Sequence, residues 1–112
     1  MNTEVREIEL QIEQAREFIK LNEAMQRLRS NKDFEKVITE EYFKNESVRL
    51  VEAMSAPQLQ DEKYQKAIHK SMAGIGNLKQ FFAKVEHQAE MARSAIEEGN
   101  QALDDIETEG EA

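Results

Sequence analysis

The apolar positions of this chain recur at helical spacing almost from end to end. Val5, Ile8, Ile12, Ala15 and Ile19 alternate steps of three and four, the a/d pattern of a coiled coil. Phe18, Leu21, Met25 and Leu28 then continue one residue out of phase, which predicts a local change of supercoil. A first helix is therefore expected over residues 3–29, with Thr3 as its N-cap and Glu4 and Glu7 at the positive end of its dipole. Ser30, Asn31, Lys32 and Asp33 break the stripe, and Ser30 with Asp33 forms a capping-box-like pair ahead of the next helix. Over residues 33–54, Phe34, Val37, Ile38 and Tyr42 make one face and Phe43, Ser47, Leu50, Val51 and Met54 a second. At α-helical spacing the two faces do not join, so a bend or break is expected near Lys44 and Asn45.

Pro57 stops that segment, and a third helix is expected over residues 61–106, with Asp61 placed to cap it. Tyr64, Ile68, Ser71, Ile75, Leu78, Phe82, Val85, Ala89, Ala92, Ile96, Gly99, Leu103 and Ile106 keep a strict four-three alternation. At 1.5 Å per residue such a helix is roughly 68 Å long, more than the two shorter segments are expected to cover. Beyond Val85 it must fray, fold back or meet another chain. The thin stripe of Ala89, Ala92 and Gly99 favours fraying in isolation and ordering on assembly. The expected class is all-α: a helical hairpin or bundle with a long C-terminal coiled-coil-like helix, one domain over residues 1–106 and a disordered acidic tail over 107–112.

Composition narrows what such helices could do. Charged residues make up 34% and hydrophobic residues 39%, which suits long amphipathic helices better than a thick globular core. With no cysteine there is neither a disulfide framework nor a thiolate metal site. The net charge of -8 is unevenly spread. Residues 97–112 carry seven acidic groups and no basic one, whereas residues 61–96 carry six basic and four acidic. That pattern disfavours direct nucleic-acid binding, which needs a basic surface. Glu4, Glu7 and Glu9 stand where a signal peptide needs a basic start and an apolar run, and no stretch approaches the roughly 18 apolar residues of a membrane span. A cytoplasmic protein without membrane contact is expected.

Candidate chemistry is sparse. His69 and His87 lack an acidic partner at metal-binding spacing, and Glu62, Glu86 and Glu90 lie at the wrong offsets for the Glu-x-x-His pairs of carboxylate metal bundles. Both histidines read as surface residues. Gly74 and Gly76 lack the third glycine and the preceding strand of a dinucleotide fingerprint, and read instead as a close helix crossing or a point of bending. No catalytic, cofactor-binding or metal residue is assigned, and an enzyme is not expected. Phe82 continues the stripe, while Phe81 points about 100° away, as a satellite core contact or a partner anchor. The candidate interaction residues are Ile75, Leu78, Phe81, Phe82, Val85, Ile96, Leu103 and Ile106. The acidic end is either a solvated terminus or a docking segment for a basic partner.

The stretch Asn31-Lys32-Asp33-Phe34-Glu35-Lys36-Val37-Ile38, with Tyr42-Phe43 and Glu46-Ser47-Val48-Arg49-Leu50, resembles small tailed-bacteriophage proteins encoded among virion and head-assembly genes. Ala73-Gly74-Ile75-Gly76-Asn77-Leu78 followed by Phe81-Phe82, and the acidic tail, are similar to a second block of the same family. The resemblance covers residues 7–109 and brings no catalytic motif. It implies a phage structural or head-assembly role; taken with the long unaccompanied stripe of the third helix, a homo-oligomeric subunit that binds a virion protein is expected. Its place would be the cytoplasm of the infected bacterial host, or the virion itself if it is a permanent component. The alternative is a small acidic phage inhibitor of a host protein that mimics nucleic acid with its carboxylates.

Overall fold

The computed structural model describes residues 2–111, and every regular element among them is helical. Helix α1 is Asn2–Arg29, α2 is the single turn Lys32–Phe34, α3 is Glu46–Ser55 and α4 is Glu62–Glu111. A π-helix, Glu35–Asn45, joins α2 to α3 without a loop, and a 3-10 turn, Pro57–Leu59, follows α3. The helix start at Asn2 puts Thr3 inside the first turn instead of at the cap. The cap of the second helical segment is Asn31, not the pair Ser30 and Asp33. The Asn31 Oδ1 accepts from the backbone N–H of Asp33 at 3.0 Å and of Phe34 at 3.1 Å. The Ser30 hydroxyl is engaged backwards, donating to the Gln26 carbonyl at 2.8 Å.

The expected break near Lys44 and Asn45 is absent, because the turn widens instead. Asn45 and Glu46 keep right-handed helical dihedrals, and the Glu46 N–H reaches back five residues to the Glu41 carbonyl. From Phe34 through Ile38 and Tyr42–Phe43 to Ser47, three turns take up thirteen residues, about 4.3 per turn against 3.6 in an α-helix. At that pitch the two apolar faces, disjoint at α spacing, fall into line. Tyr42 and Phe43 are both half-buried in consequence.

Two compact units divide the chain: residues 2–25 with 84–111, and Gln26–Ala83. In the second unit Leu50, Ile68 and Ile75 form a buried cluster, with Tyr42, Phe43, Ala53, Met54 and Met72 packed against it. Beside it the Phe82 ring lies 6.1 Å from that of Phe34 and 5.9 Å, edge-on, from that of Phe43. The Arg29 guanidinium sits 5.4 Å over Phe82 and the Lys79 ammonium 5.3 Å over Phe43, so two cations cover aromatic faces that would otherwise meet water. Where Pro57 ends α3, two glutamines satisfy the Met54 carbonyl of its last turn and two carbonyls of the connection that follows. The Gln60 side-chain amide donates to Met54 and Ala56, and that of Gln65 to Met54 and Leu59, at 2.7 to 3.1 Å.

The first unit is a pair of helices. On α1, Ile12, Ala15, Asn22 and Met25 are buried and Val5, Ile8 and Ile19 half-buried. On α4, Val85, Ala89 and Ala92 are buried and Ile96, Gly99, Leu103 and Ile106 half-buried. A Cβ placed on Gly99 would stand 2.9 Å from Ile12 Cγ1 and 3.5 Å from Ile8 Cγ2. Ala15 and Phe18 lie with Gln88, Met91, Ala92 and Ala95 around one groove. Residue numbers therefore rise on α1 as they fall on α4, and the pairing is antiparallel. The far half of α4 neither frays nor waits for another chain: α1 covers it. The small residues read as a weak stripe are what permit the approach, since Ala15, Ala89, Ala92 and Gly99 let the axes come close.

The stripe on α1 keeps its phase as far as Asn22 and then shifts. Packing passes through Ile19 and Asn22 to Met25, a residue of the expected shifted seam, while Gln26, which would continue the first phase, is exposed, as are Phe18, Leu21 and Leu28. The helix accepts a polar residue at one seam position. The tail differs from expectation too: residues 107–111 continue α4, with the Thr108 hydroxyl donating to the Asp104 carbonyl at 2.9 Å. The three glutamates are good helix formers and no proline intervenes, so the helix continues through this stretch in spite of Gly110. Ala112, the last residue of the expected tail, lies outside the described residues.

Candidate functional site

Most of the interaction residues expected from the stripe are spent inside the chain. Ile75, Phe82 and Val85 are buried, and Leu78, Ile96, Leu103 and Ile106 are half-buried along the packed face of α4. Phe81 alone among them is exposed, at 52%, with its ring 6.4 Å from that of Phe82. The glycine pair does not make the close crossing. A Cβ added at Gly76 would meet nothing within 4 Å, and one at Gly74 only the Tyr42 hydroxyl at 3.6 Å, so the close approach is at Gly99. His69 and His87 are exposed.

A different surface emerges on the first unit. Antiparallel pairing leaves a groove on each side of the two-helix seam, and one of them is lined by Gln11, Gln14, Ala15 and Phe18 from α1 and Gln88, Met91, Ala92 and Ala95 from α4. None of these side chains is charged. The unit around them carries five basic and fifteen acidic residues among 52, so the charge-free lining is a departure from its composition. Phe18 is 42% exposed and Met91 60%, and Leu21, one turn along the same flank from Phe18, is 48% exposed. On the helical wheel Glu9, Glu13, Arg16, Lys20 and Glu23 fall on the opposite flank and back of α1, while Glu7 on α1 and Lys84 on α4 stand on the same flank one turn beyond the lining. A second depression of the unit, on α4 toward its end, is acidic, lined by Glu97, Glu98 and Asp105 with Ser94, Gln101 and Ala102.

Single exposed apolar residues are normal; several side by side without a charge among them are how binding surfaces are built. Phe18 and Met91 stand as bulky side chains beside the shallow floor of Ala15, Ala92 and Ala95, and the three glutamines offer both donors and acceptors. Spacing alone hid this flank, because Phe18 and Leu21 were assigned to the seam. The signal was their being out of phase, matched on the partner helix by Met91, an apolar residue off the seam. Among the described residues no three His, Cys, Asp or Glu side chains converge as a metal site, and no helix is long and apolar enough to cross a membrane. No protein-family model matches the chain, and no curated protein or solved structure matches it.

Proposed function

We propose that this protein is a non-enzymatic, helix-mediated protein-binding subunit that works through the neutral flank of its two-helix unit. The observation that carries the reading is the pairing of exposed Phe18 and Met91 across one groove without a charged neighbour on its lining. Aromatic and methionine side chains are the residues that interfaces collect, and charged residues those that interface centres exclude. The setting as a phage structural or head-assembly protein rests on the resemblance of residues 31–50 and 73–82 to phage proteins. A photo-reactive amino acid in place of Met91 tests both parts during production of the protein in its own host. Covalent adducts that disappear in a Phe18→Glu background support the flank, and adducts identified as portal or capsid subunits support the assembly role. Absence of any adduct contradicts the binding reading.

The acidic inhibitor is the second reading, and the continuation of α4 favours it. Glu97, Glu98, Asp104, Asp105, Glu107 and Glu109 lie on a helix, which gives their carboxylates fixed spacing where a disordered tail would not. Binding of a basic host protein through those carboxylates should weaken steeply between low and moderate salt. Salt-insensitive binding contradicts this second reading.

A further inference from the structure

We infer that the occupant of this flank is an amphipathic helix of another protein, apolar through about two turns, acidic at its N-terminal end and basic at its C-terminal end, lying parallel to α4. The inference rests on the binding reading above and names the chemistry of the partner. The flank is neutral only in its middle, and the charges at its two ends differ in sign.

Heptad steps along each helix trace those ends. On α4, Lys84, Met91, Glu98 and Asp105 recur every seven residues and so share one line of the helix. That line reads as a cation, the exposed methionine of the groove and then two carboxylates. On α1 the matching line is Glu7, Gln14 and Leu21: an acid, an amide and an exposed aliphatic residue. Gly99 lies against Ile12 and Ile8 in an antiparallel pair, so Glu7 falls level with the stretch between Glu98 and Asp105. The three carboxylates are exposed together at one end, and the Lys84 ammonium is exposed at the other. Between them lie Phe18 and Met91 over the floor of small residues.

This gradient selects among occupants. A second copy would bring another unit of net -10 against the carboxylates, which like-charge repulsion opposes. A nucleic acid is opposed for the same reason. A helix basic throughout would be drawn to the acidic end but would set its charges over Phe18 and Met91. A helix that is apolar in its middle and basic at one end matches both parts. Helix polarity then fixes the direction. Acidic residues are favoured in the first turn of a helix and basic residues in the last. The N-terminal acids therefore meet Lys84 and the C-terminal bases meet Glu7, Glu98 and Asp105, which runs the partner alongside α4 in the same sense. From Lys84 to Asp105 α4 rises about 32 Å, so a helix of roughly twenty residues spans the flank. Its apolar contact is confined to the middle, which puts the association in the weak, transient class.

A synthetic helical peptide tests this, titrated against the full chain by fluorescence anisotropy. It has about twenty residues, with a leucine and alanine face, glutamates in its first turn and lysines in its last two turns. A second peptide carries glutamate in place of every lysine. The first should bind about tenfold tighter than the second at low salt, with the preference shrinking as salt rises. Glu98→Lys should reduce that preference severalfold, and Phe18→Glu should weaken the first peptide about tenfold, both with unchanged helical content by circular dichroism. A nitroxide at the C-terminus of the first peptide should broaden the amide resonances of residues 98–105 and spare those of residues 84–88. Equal binding of the two peptides overturns the inference, as does a preference indifferent to Glu98→Lys or broadening at residues 84–88 instead. If neither peptide binds but the photo-reactive residue at 91 still forms adducts, this partner chemistry is excluded and the binding reading stands. If neither binds and no adduct forms, both fall.

Discussion

The unit built from the two ends of the chain and the unit built from its middle hold together by different means. In the first, two straight helices meet along a seam of small and medium aliphatic residues, where Ala89 is wholly buried and Gly99 lies against Ile12 and Ile8. In the second, aromatic rings do the filling. Phe34, Phe43 and Phe82 pack on one another under two cations, and a π-helix supplies the extra residue per turn that aligns them. The charges divide the same way, with fifteen acidic to five basic residues in the first and eight to ten in the second. A regular seam leaves a regular flank, so the first unit can present a uniform neutral groove. An irregular, ring-filled core turns Phe34, Phe43 and Phe82 inward and leaves Phe81, Val48 and Val51 exposed, the two valines one turn apart on α3.

The largest expected effect tests the aromatic core. Phe82→Ala removes the ring that touches Phe34 and Phe43 and should cost about 3–4 kcal/mol in urea unfolding. Its neighbour Phe81→Ala should change stability by less than about 0.5 kcal/mol, because that ring faces water. Comparable losses at the two positions would dissolve the distinction between them. The seam is probed at its closest point. Gly99→Leu drives a side chain into Ile12 and should destabilise by about 1–3 kcal/mol. Retention of wild-type stability there would mean that the helices are farther apart than the structure has them.

Smaller effects belong to the middle unit. Asn31→Ala deletes the acceptor for the Asp33 and Phe34 amides and should cost about 1 kcal/mol, measured by thermal unfolding. Ser30→Ala, by contrast, should be nearly silent if Asn31 is the cap. Gly76→Ala should stabilise by about 0.5–1 kcal/mol, since the position is helical and open, and alanine loses less backbone entropy than glycine. A loss of stability at Gly76 would restore the close helix crossing there.

Periodicity made the helical class and the seam of α4 legible, because a strict four-three alternation from Ile75 to Ile106 has one simple structural meaning. Spacing alone could not say what covered the seam. Length suggested that the chain was too short to do it, and only the antiparallel return of α4 along α1 resolves that. The π-helix was illegible for a related reason. A wheel drawn at 3.6 residues per turn splits Tyr42 from Phe43, and the mismatch reads as a break when the backbone can instead widen its turn. Of the interaction residues, Phe81 was separated from the stripe by its phase, which left a satellite core contact and a partner anchor both open, and its exposure is what the structure adds. The neutral flank was hidden by treating every apolar residue on α1 as seam, although Phe18 and Leu21 already announced a second face.

The binding reading depends on α1 closing over α4 within one chain, and a pair of cysteines measures that most directly. The chain has none of its own, so Ile12→Cys with Gly99→Cys introduces a single defined pair. A sulfur at residue 12 takes the place of an Ile12 γ-atom beside the Cβ position of residue 99, within disulfide reach. Mild oxidation followed by denaturing, non-reducing mass analysis should give a quantitative cross-link within single chains. Free thiols, or cross-links only between chains, would contradict the intramolecular pair and return the α4 stripe to the surface.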